Sequence, residues 1–368
     1  MATKQTGLSR ELIIHPGETL QEIMELRGMS QAELASRACV SAKHVSTVLN
    51  GQKPISVSFA KKLEYVLGVE ASFWINLQSE YDRELTEYEE INNISADEIS
   101  VLSNLKEVIT FLEQSRIIET VNSLPDKVLE LRRFLNIGNL TCIPNVSFSG
   151  AFRISHAHNI DAYVLFAWMQ LCDYYANRVI VESELDLRKL KESLPEVKKL
   201  IGEHPDLIMN KLQRIFAQCG IAFNIVKNFK GAPVHGLIKK RVDGRISLSV
   251  TIRKSFADIF WFAVYHEIAH VLNGDFNNRP MIDFSDVENE CEEKANSFAC
   301  NALLDKAAYS QFLCKDDFSI SAIRNFAEEQ QVPPFVVIGR LQKEERIPYG
   351  QLYEGEKVRY KWAESPAL

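Results

Sequence analysis

At 368 residues, with 46% hydrophobic and 25% charged residues, the chain is long enough for more than one domain and has the composition of a globular protein in water. A net charge of −7 excludes a chain-wide nucleic-acid signature, so any basic surface has to be local. The seven cysteines (39, 142, 172, 219, 291, 300 and 314) are odd in number and form no C-x-x-C, and neither a signal peptide nor a transmembrane segment is read, so free thiols in a reducing cytoplasm are expected.

The first 85 residues read as short helices with clear punctuation. Thr19 to Arg27 carries Leu20, Ile23 and Met24 at helical spacing, and Gly28 stops it. Ser30-Gln31-Ala32-Glu33 is a capping box that opens a second helix through Arg37. Ser41 caps a third, Ala42 to Leu49, ended by Asn50-Gly51. In the third helix Val45, Val48 and Leu49 face inward, leaving Ala42, Lys43, His44 and Thr47 outside. Helices at this spacing form a helix-turn-helix whose last member reads a major groove. No acid lies between Leu34 and Leu63, whereas Arg37, Lys43, Lys53, Lys61 and Lys62 do, which suits phosphate contacts. The bland alternative is a small helical domain with a solvated basic face. The expected DNA-facing set is Gln31, Ser41, Ala42, Lys43, His44, Thr47 and Lys53.

The blocks His15-Pro16-Gly17-Glu18, Ser30-Gln31-x-x-Leu34-Ala35, Asn50-Gly51-x-x-Pro54-Ile55-Ser56, Ala60-x-x-Leu63 and Phe73-Trp74-x-x-Leu77-Gln78-x-x-Tyr81-Asp82 fall in order. In them residues 11 to 83 resemble the HigA-type antitoxins of the XRE/Cro helix-turn-helix family. The resemblance implies operator binding as a homodimer and repression of the protein's own operon. His15 and Trp74 are expected to pack.

Glu80, Asp82, Glu84, Glu87, Glu89 and Glu90 make an acidic run that reads as a domain boundary. Beyond it, Ser95-x-x-Glu98 opens a helix through Leu112, and a second helix follows Pro125. A loop with His156 and His158 comes next, then a buried helix from Asp161 to Ala176; the two histidines lack a third ligand nearby. Ile221 to Val226, Val234 to Lys240 and Arg245 to Ile252 read as strands, with Asp243-Gly244 turning the last two. A sheet edge beside a metal helix is a dock for an extended peptide.

His266-Glu267-Ile268-Ala269-His270 then matches H-E-x-x-H within an apolar helical run. On a helix the two histidines lie about 40° apart, one turn from each other, and can share a metal. Glu267 lies about 100° round the axis and suits a general base for a water held by the metal. A chance pentapeptide on a core helix is the alternative. The metzincin pattern fails, because its glycine and last histidine positions are Asn273 and Phe276. The gluzincin alternative places a glutamate on a later helix. Glu292, Ala295, Asn296 and Ala299 share a helix face there, with small alanines to let two helices approach. Glu292 would complete the metal set and Asn296 would bond a ligand; Glu290 and Glu293 compete with Glu292. Cys291 and Cys300 read as small core residues. Tyr265 and His235 are weak candidates for an oxyanion donor.

This half resembles the ImmA/IrrE family of zinc metallopeptidases in Phe152-Arg153-x-Ser155, Phe260-Trp261-Phe262 leading into H-E-x-x-H, Glu292-x-x-Ala295-Asn296-x-Phe298-Ala299 and Val337-Ile338-Gly339-Arg340-Leu341-Gln342. The resemblance implies a Zn²⁺ site and a repressor-type protein substrate. One departure is that an extra histidine common soon after the second ligand is absent here, where the chain reads Asn273-Gly274-Asp275. Further on, Ala327, Val332 and Leu341 repeat the intervals of Ala35, Val40 and Leu49, so Ile323 to Gln342 reads as a second helix pair, with mixed charge and Arg340 in a structural role.

The expected fold is therefore multidomain: an all-α helix-turn-helix domain (1–83), an acidic linker and helical connector (84–150), an α+β gluzincin-like metallopeptidase domain with a C-terminal helix pair (151–350), and a tail (351–368). The expected function is a cytoplasmic DNA-binding regulator or antitoxin with a zinc-dependent endopeptidase acting on a regulatory protein, a cognate toxin or a repressor. The competing expectation is a non-enzymatic antitoxin whose metallopeptidase fold binds a toxin or senses a signal. No membrane partner is expected.

Overall fold

Hydroxyl caps set the helix starts of the N-terminal part. In a computed structural model, which describes residues 9–149, 160–252, 255–276, 280–284 and 290–362, the Ser30, Ser41 and Ser56 side chains each accept the backbone N–H three residues on. These caps open α2 (Gln31–Arg37), α3 (Ala42–Leu49) and α4 (Val57–Leu67), which follow α1 (Pro16–Leu26) and precede α5 (Ala71–Asn92). The Glu33 carboxylate does not close the capping box; it pairs with Arg37 at 2.5 Å. Gly17 lets α1 cross α3 closely, since a Cβ there would lie 2.2 Å from the Val48 carbonyl oxygen. Leu20, Leu34, Val45, Val48, Leu63 and Trp74 fill the core between these helices.

Two blocks of the antitoxin resemblance are one hydrogen-bond relay. The Gln78 Oε1 accepts the Ile55 N–H at 2.9 Å, and its amide nitrogen donates to Asp82 at 2.8 Å. His15 caps α1 by accepting the Gly17 N–H at 2.9 Å, and its ring meets Tyr81 edge-on. His15 and Trp74 are thus buried packing residues. The acidic run is not a linker. It lies on the 22-residue α5, where Arg83 pairs with Glu80 and Glu87 at i−3 and i+4 and supports the helix.

The chain divides into two compact units, Met1–Ile99 with Val121–Leu129, and Ser100–Thr120 with Glu130–Leu368. The expected boundary at 83 falls inside α5. Next come α6 (Ala96–Asn104) and α7 (Lys106–Gln114), two helices where one was expected, then α8 (Leu124–Leu135) and α9 (Ile143–Ser149). The loop with Phe152, Arg153, Ser155, His156 and His158 lies outside the described residues. After it come α10 (Ala162–Ala176) and, unforeseen in the sequence, α11 (Leu187–Lys199) and α12 (Pro205–Ala217).

The sheet contains β1 (Ile221–Val226), β2 (Val234–Lys240) and β3 (Ile246–Thr251), as expected, and a fourth strand, β4 (Met281–Phe284), which was not. The order is β1-β3-β2-β4, with β1 and β3 parallel and the other two pairs antiparallel. Every residue of β1 and β3 is buried, so these strands run between apolar layers and do not alternate polar and apolar. Ile221, Phe223, Ile225, Leu248 and Val250 share a core with Phe260, Val264 and Ile268 of α13 (Ala257–Asn273), the helix that carries H-E-x-x-H. It is followed by β4, then α14 (Glu290–Leu303) and α15 (Lys306–Cys314), and the expected pair appears as α16 (Ile320–Glu329) and α17 (Pro334–Lys343).

Residues 351–362 are not a tail. Phe256 and Arg359 form a β-bridge, the Trp261 indole donates to the Tyr360 hydroxyl at 3.0 Å, and Tyr353 and Tyr360 are buried. Aromatic residues near a chain end need such a partner surface, and α13 provides it.

Candidate metal centre and helix-turn-helix surface

The helical spacing places His266 and His270 on one face of α13, and α14 brings Glu292 against them. Three donor atoms converge. His266 Nε2 lies 2.9 Å from His270 Nε2 and 2.9 Å from Glu292 Oε2, and His270 Nε2 lies 3.4 Å from the same oxygen. Donors about 2.1 Å from a tetrahedral zinc stand about 3.4 Å apart, so the triangle has the size of one ion's coordination shell. Ala295 and Ala299, both wholly buried, keep the α14 face small enough for this approach. Glu290 and Glu293, the competing choices, are exposed.

The remaining ring nitrogens are occupied too. His266 Nδ1 faces Asn296 Oδ1 at 3.0 Å, and His270 Nδ1 faces Asp275 Oδ2 at 2.8 Å. A carbonyl or carboxylate oxygen only accepts, so each Nδ1 carries the proton and each Nε2 turns its lone pair into the triangle. Two imidazole lone pairs and a carboxylate pointed at one another repel unless a cation or a proton lies between them. Without a metal, protons fill that role. Burial pushes the Glu292 carboxyl up, but the two imidazoles outweigh it and hold it down at about 2. Burial likewise pushes His270 down, and Glu292 and Asp275 outweigh that and hold it above its usual value. The donor set therefore fits a divalent cation that prefers nitrogen and oxygen.

Glu267 lies about 100° further round the helix, beside the triangle, and is completely buried. Among the described residues no N–H or ordinary hydroxyl donates to its carboxylate oxygens, which instead meet the Asp283 carboxyl. Burial, together with the Asp283 and Glu292 carboxylates, pushes its pKa well up. It fits under β2 only because residue 236 is glycine, where a Cβ would lie 2.2 Å from Glu267 Oε1.

Other expected residues lie elsewhere. Tyr265 donates its hydroxyl to the Leu194 carbonyl at 3.2 Å, so it is committed away from the triangle. His235 sits at a register shift of β2 against β4. Phe276, at the last metzincin position, is buried core. Cys291 is exposed and Cys300 half-buried, which corrects their expected place in the core: on α14 they flank the face that carries Glu292 and Ala299. Arg340 stacks on Tyr309 and donates to the Cys300 carbonyl, a structural role. Three site residues escaped the sequence reading. Asp275 was visible only as the replacement of an absent histidine. Gly236 carried a signal, a glycine inside a strand, which marks a close approach. Asp283, buried and 3.8 Å from His266 Nε2, carried none.

In the first unit, Gln31, Ser41, Ala42, Lys43 and Lys53 are exposed at the start of α2, the start of α3 and the turn after α3. His44 and Thr47 are half-buried: the His44 ring meets Phe59 edge-on, and Thr47 donates to the His44 carbonyl. The basic patch is smaller than its sequence suggests, because Arg37 pairs with Glu33 and Lys61 with Glu64.

These helices define an XRE-type helix-turn-helix domain, and the comparisons agree. The helix-turn-helix family profile matches residues 20–74. Virulence-associated protein I of Dichelobacter nodosus is 33% identical over 75 residues, 20% of this chain and 69% of that protein. By its N-terminal part the chain belongs to this helix-turn-helix family. Among solved structures it is similar to PA4674 of Pseudomonas aeruginosa, determined with its operator DNA (39% identity, 20% of this chain and 80% of that one, TM-score 0.20). It is also similar to the antitoxin HigA of Pseudomonas aeruginosa with the higBA promoter (30% identity, 27% and 91%, TM-score 0.19). No described helix is long and apolar enough to cross a membrane.

Proposed function

We propose that the chain is a DNA-binding regulator of the antitoxin type whose second unit is a zinc-dependent endopeptidase, gluzincin-like and of the ImmA/IrrE kind, acting on a regulatory protein. The observation that carries the enzymatic half is the convergence of His266 Nε2, His270 Nε2 and Glu292 Oε2 beside a buried Glu267. His266, His270 and Glu292 would hold Zn²⁺; Asn296 and Asp275 keep the two rings turned so that Nε2 faces inward. When bound, zinc supplies a Lewis acid that polarises a peptide carbonyl and makes water acidic. With the charge of a bound cation offsetting the Asp283 and Glu292 carboxylates, Glu267 would be favoured in its ionised form, and would then accept a proton from the attacking water and return it to the departing amine. Its burial keeps competing water away.

The DNA-binding half rests on family membership and on the exposed residues around α3. Lys43, with Lys53 and the N-terminus of α3, meets phosphates, while Ala42, His44 and Thr47 face base edges. Gln31 and Ser41 lie at the helix starts that approach the backbone. A homodimer on a palindromic operator in the cytoplasm completes the reading, with a toxin or a repressor as the protein partner.

Metal analysis with two variants tests it. The purified protein is expected to carry about one zinc per chain. The ion is lost in the His266→Ala/Glu292→Ala double variant and kept in Glu267→Gln, which loses cleavage. Stoichiometric zinc in the double variant sinks the metal assignment. Intact zinc and an unchanged biological output in Glu267→Gln replace the peptidase with a binding or sensing module.

A further inference from the structure

A peptide cut at this site has to bring a carbonyl between the three donor atoms and Glu267. The sheet residue that touches Glu267 is Gly236 of β2, where a Cβ would lie 2.2 Å from Oε1. An extended substrate reaching that point would run along β2 and add to its edge by backbone hydrogen bonds, the usual way an unfolded segment docks on a sheet. One edge of β2 is taken by β3. The other is taken by β4, antiparallel, with Asp283 opposite Gly236, Ile282 opposite Leu237 and Met281 opposite Ile238.

Asp283 shares the face of its strand partner Gly236, so it projects to the site. The residue is 7% exposed, and its carboxylate lies 3.8 Å from His266 Nε2. Glu267 beside it is fully buried, and its carboxyl meets that of Asp283, with which it can share a proton. The strand itself is only four residues long, is joined to β2 through a register shift, and lies in the stretch that links the two metal-bearing helices. Cross-strand pairs contribute about 0.2–1 kcal/mol each, so so short a strand is held far more weakly than the buried β3.

We propose that β4 is an internal stand-in for the substrate. It occupies the β2 edge on which an extended peptide would lie, with Asp283 at the position of the residue next to the general base, and a substrate strand binds by displacing it. This deepens the peptidase reading and rests on it. The partner chemistry follows: an unfolded or extended protein segment engaged through its backbone, in competition with β4. A folded surface cannot enter, because the exchange requires a free strand.

The test uses the full-length, zinc-loaded Glu267→Gln protein, which holds a peptide without cutting it, and as probe a fluorescein-labelled peptide with the sequence of residues 279–286 of this chain. Two cysteines at paired positions, Leu237→Cys with Ile282→Cys, can form a disulfide that pins β4, since antiparallel partners lie within disulfide reach. Ile282→Pro, and separately Asp283→Ala, loosen it. Fluorescence anisotropy should show affinity raised about tenfold or more by loosening, the reciprocal of the fraction of time the edge is open. The oxidised lock should abolish binding, and reductant should restore it. Hydrogen exchange should show the Ile282 and Asp283 amides losing protection when the peptide binds. An affinity indifferent to the lock, or β4 amides that stay protected with peptide bound, means that β4 belongs to the receiving sheet and overturns the inference. Absence of binding by loosened proteins that retain zinc overturns it as well. A protein that never holds zinc instead removes the peptidase reading beneath it, and the zinc content of the same samples separates the two failures.

Discussion

Single side chains at this protein's two working surfaces act through what they accept and what they leave room for. Glycine 236 contributes by absence, since the space a methyl group would fill holds the Glu267 carboxylate. His15 contributes a lone pair: neutral Nδ1 accepts the Gly17 N–H at the start of α1. Burial lowers its pKa, against the pull of Asp82 and Glu18. A histidine whose folded pKa lies below its unfolded value of about 6.5 takes up its proton more readily when unfolded, so stability rises with pH in that window. The contribution is present above pH about 6.5 and is lost as pH falls toward the lowered folded value. Protonation also removes the acceptor that caps α1. The first unit should therefore melt at lower temperature at pH 5.5 than at pH 7.5. His15→Asn keeps a capping acceptor and should flatten that difference; an undiminished pH dependence in the variant assigns it to another group.

Among elements, α3 and the pair of α13 with α14 show how far helical periodicity reaches. The intervals that put Val45, Val48 and Leu49 inside also put Lys43 outside, in the first turn, where the backbone N–H groups favour an anion. Lys43→Ala should weaken binding to DNA from the protein's own promoter about equally for all sequences and lower the slope of log affinity against log salt by about 1. A gel-shift series at several salt concentrations reads this directly, and an unchanged slope removes Lys43 from the phosphate contacts. The charge pattern alone overstated this surface, because Glu33 and Glu64, just outside or within neighbouring turns, neutralise Arg37 and Lys61. On α13 and α14 the periodicity identified the convergent face, since Ala295 and Ala299 repeat at helical spacing after Glu292. β4 lay beyond such reasoning: four residues hold too short a pattern to distinguish a strand from a loop, and their pairing with β2 is a long-range event.

For the molecule as a whole, the relevant fact is that each of two compact units has a core of its own. Zinc, if it binds as proposed, touches residues of the second unit alone. Calorimetry of the metal-free protein should then resolve two transitions, and adding zinc should raise only one. At a free zinc concentration one hundred times Kd the stabilisation is about 2.7 kcal/mol. A zinc-dependent shift in both transitions would show that the units melt as one. Acid should reverse the zinc effect, because His270 holds its proton more tightly than an ordinary imidazole and competes with the metal as pH falls.

The sequence by itself determined the local features of both surfaces: serine caps, the helical faces of α2 and α3, the one-turn spacing of His266 and His270, and the alanine-lined face that carries Glu292. These follow from the 3.6-residue period and from short-range capping, which act within a few residues. Tertiary structure alone decided the rest. It set Gly236 against Glu267, made residues 351–362 a partner of α13 instead of a tail, and laid β4 with Asp283 along the edge of β2. Each of these contacts joins segments whose meeting depends on how whole layers pack, and no periodicity along the chain records that choice.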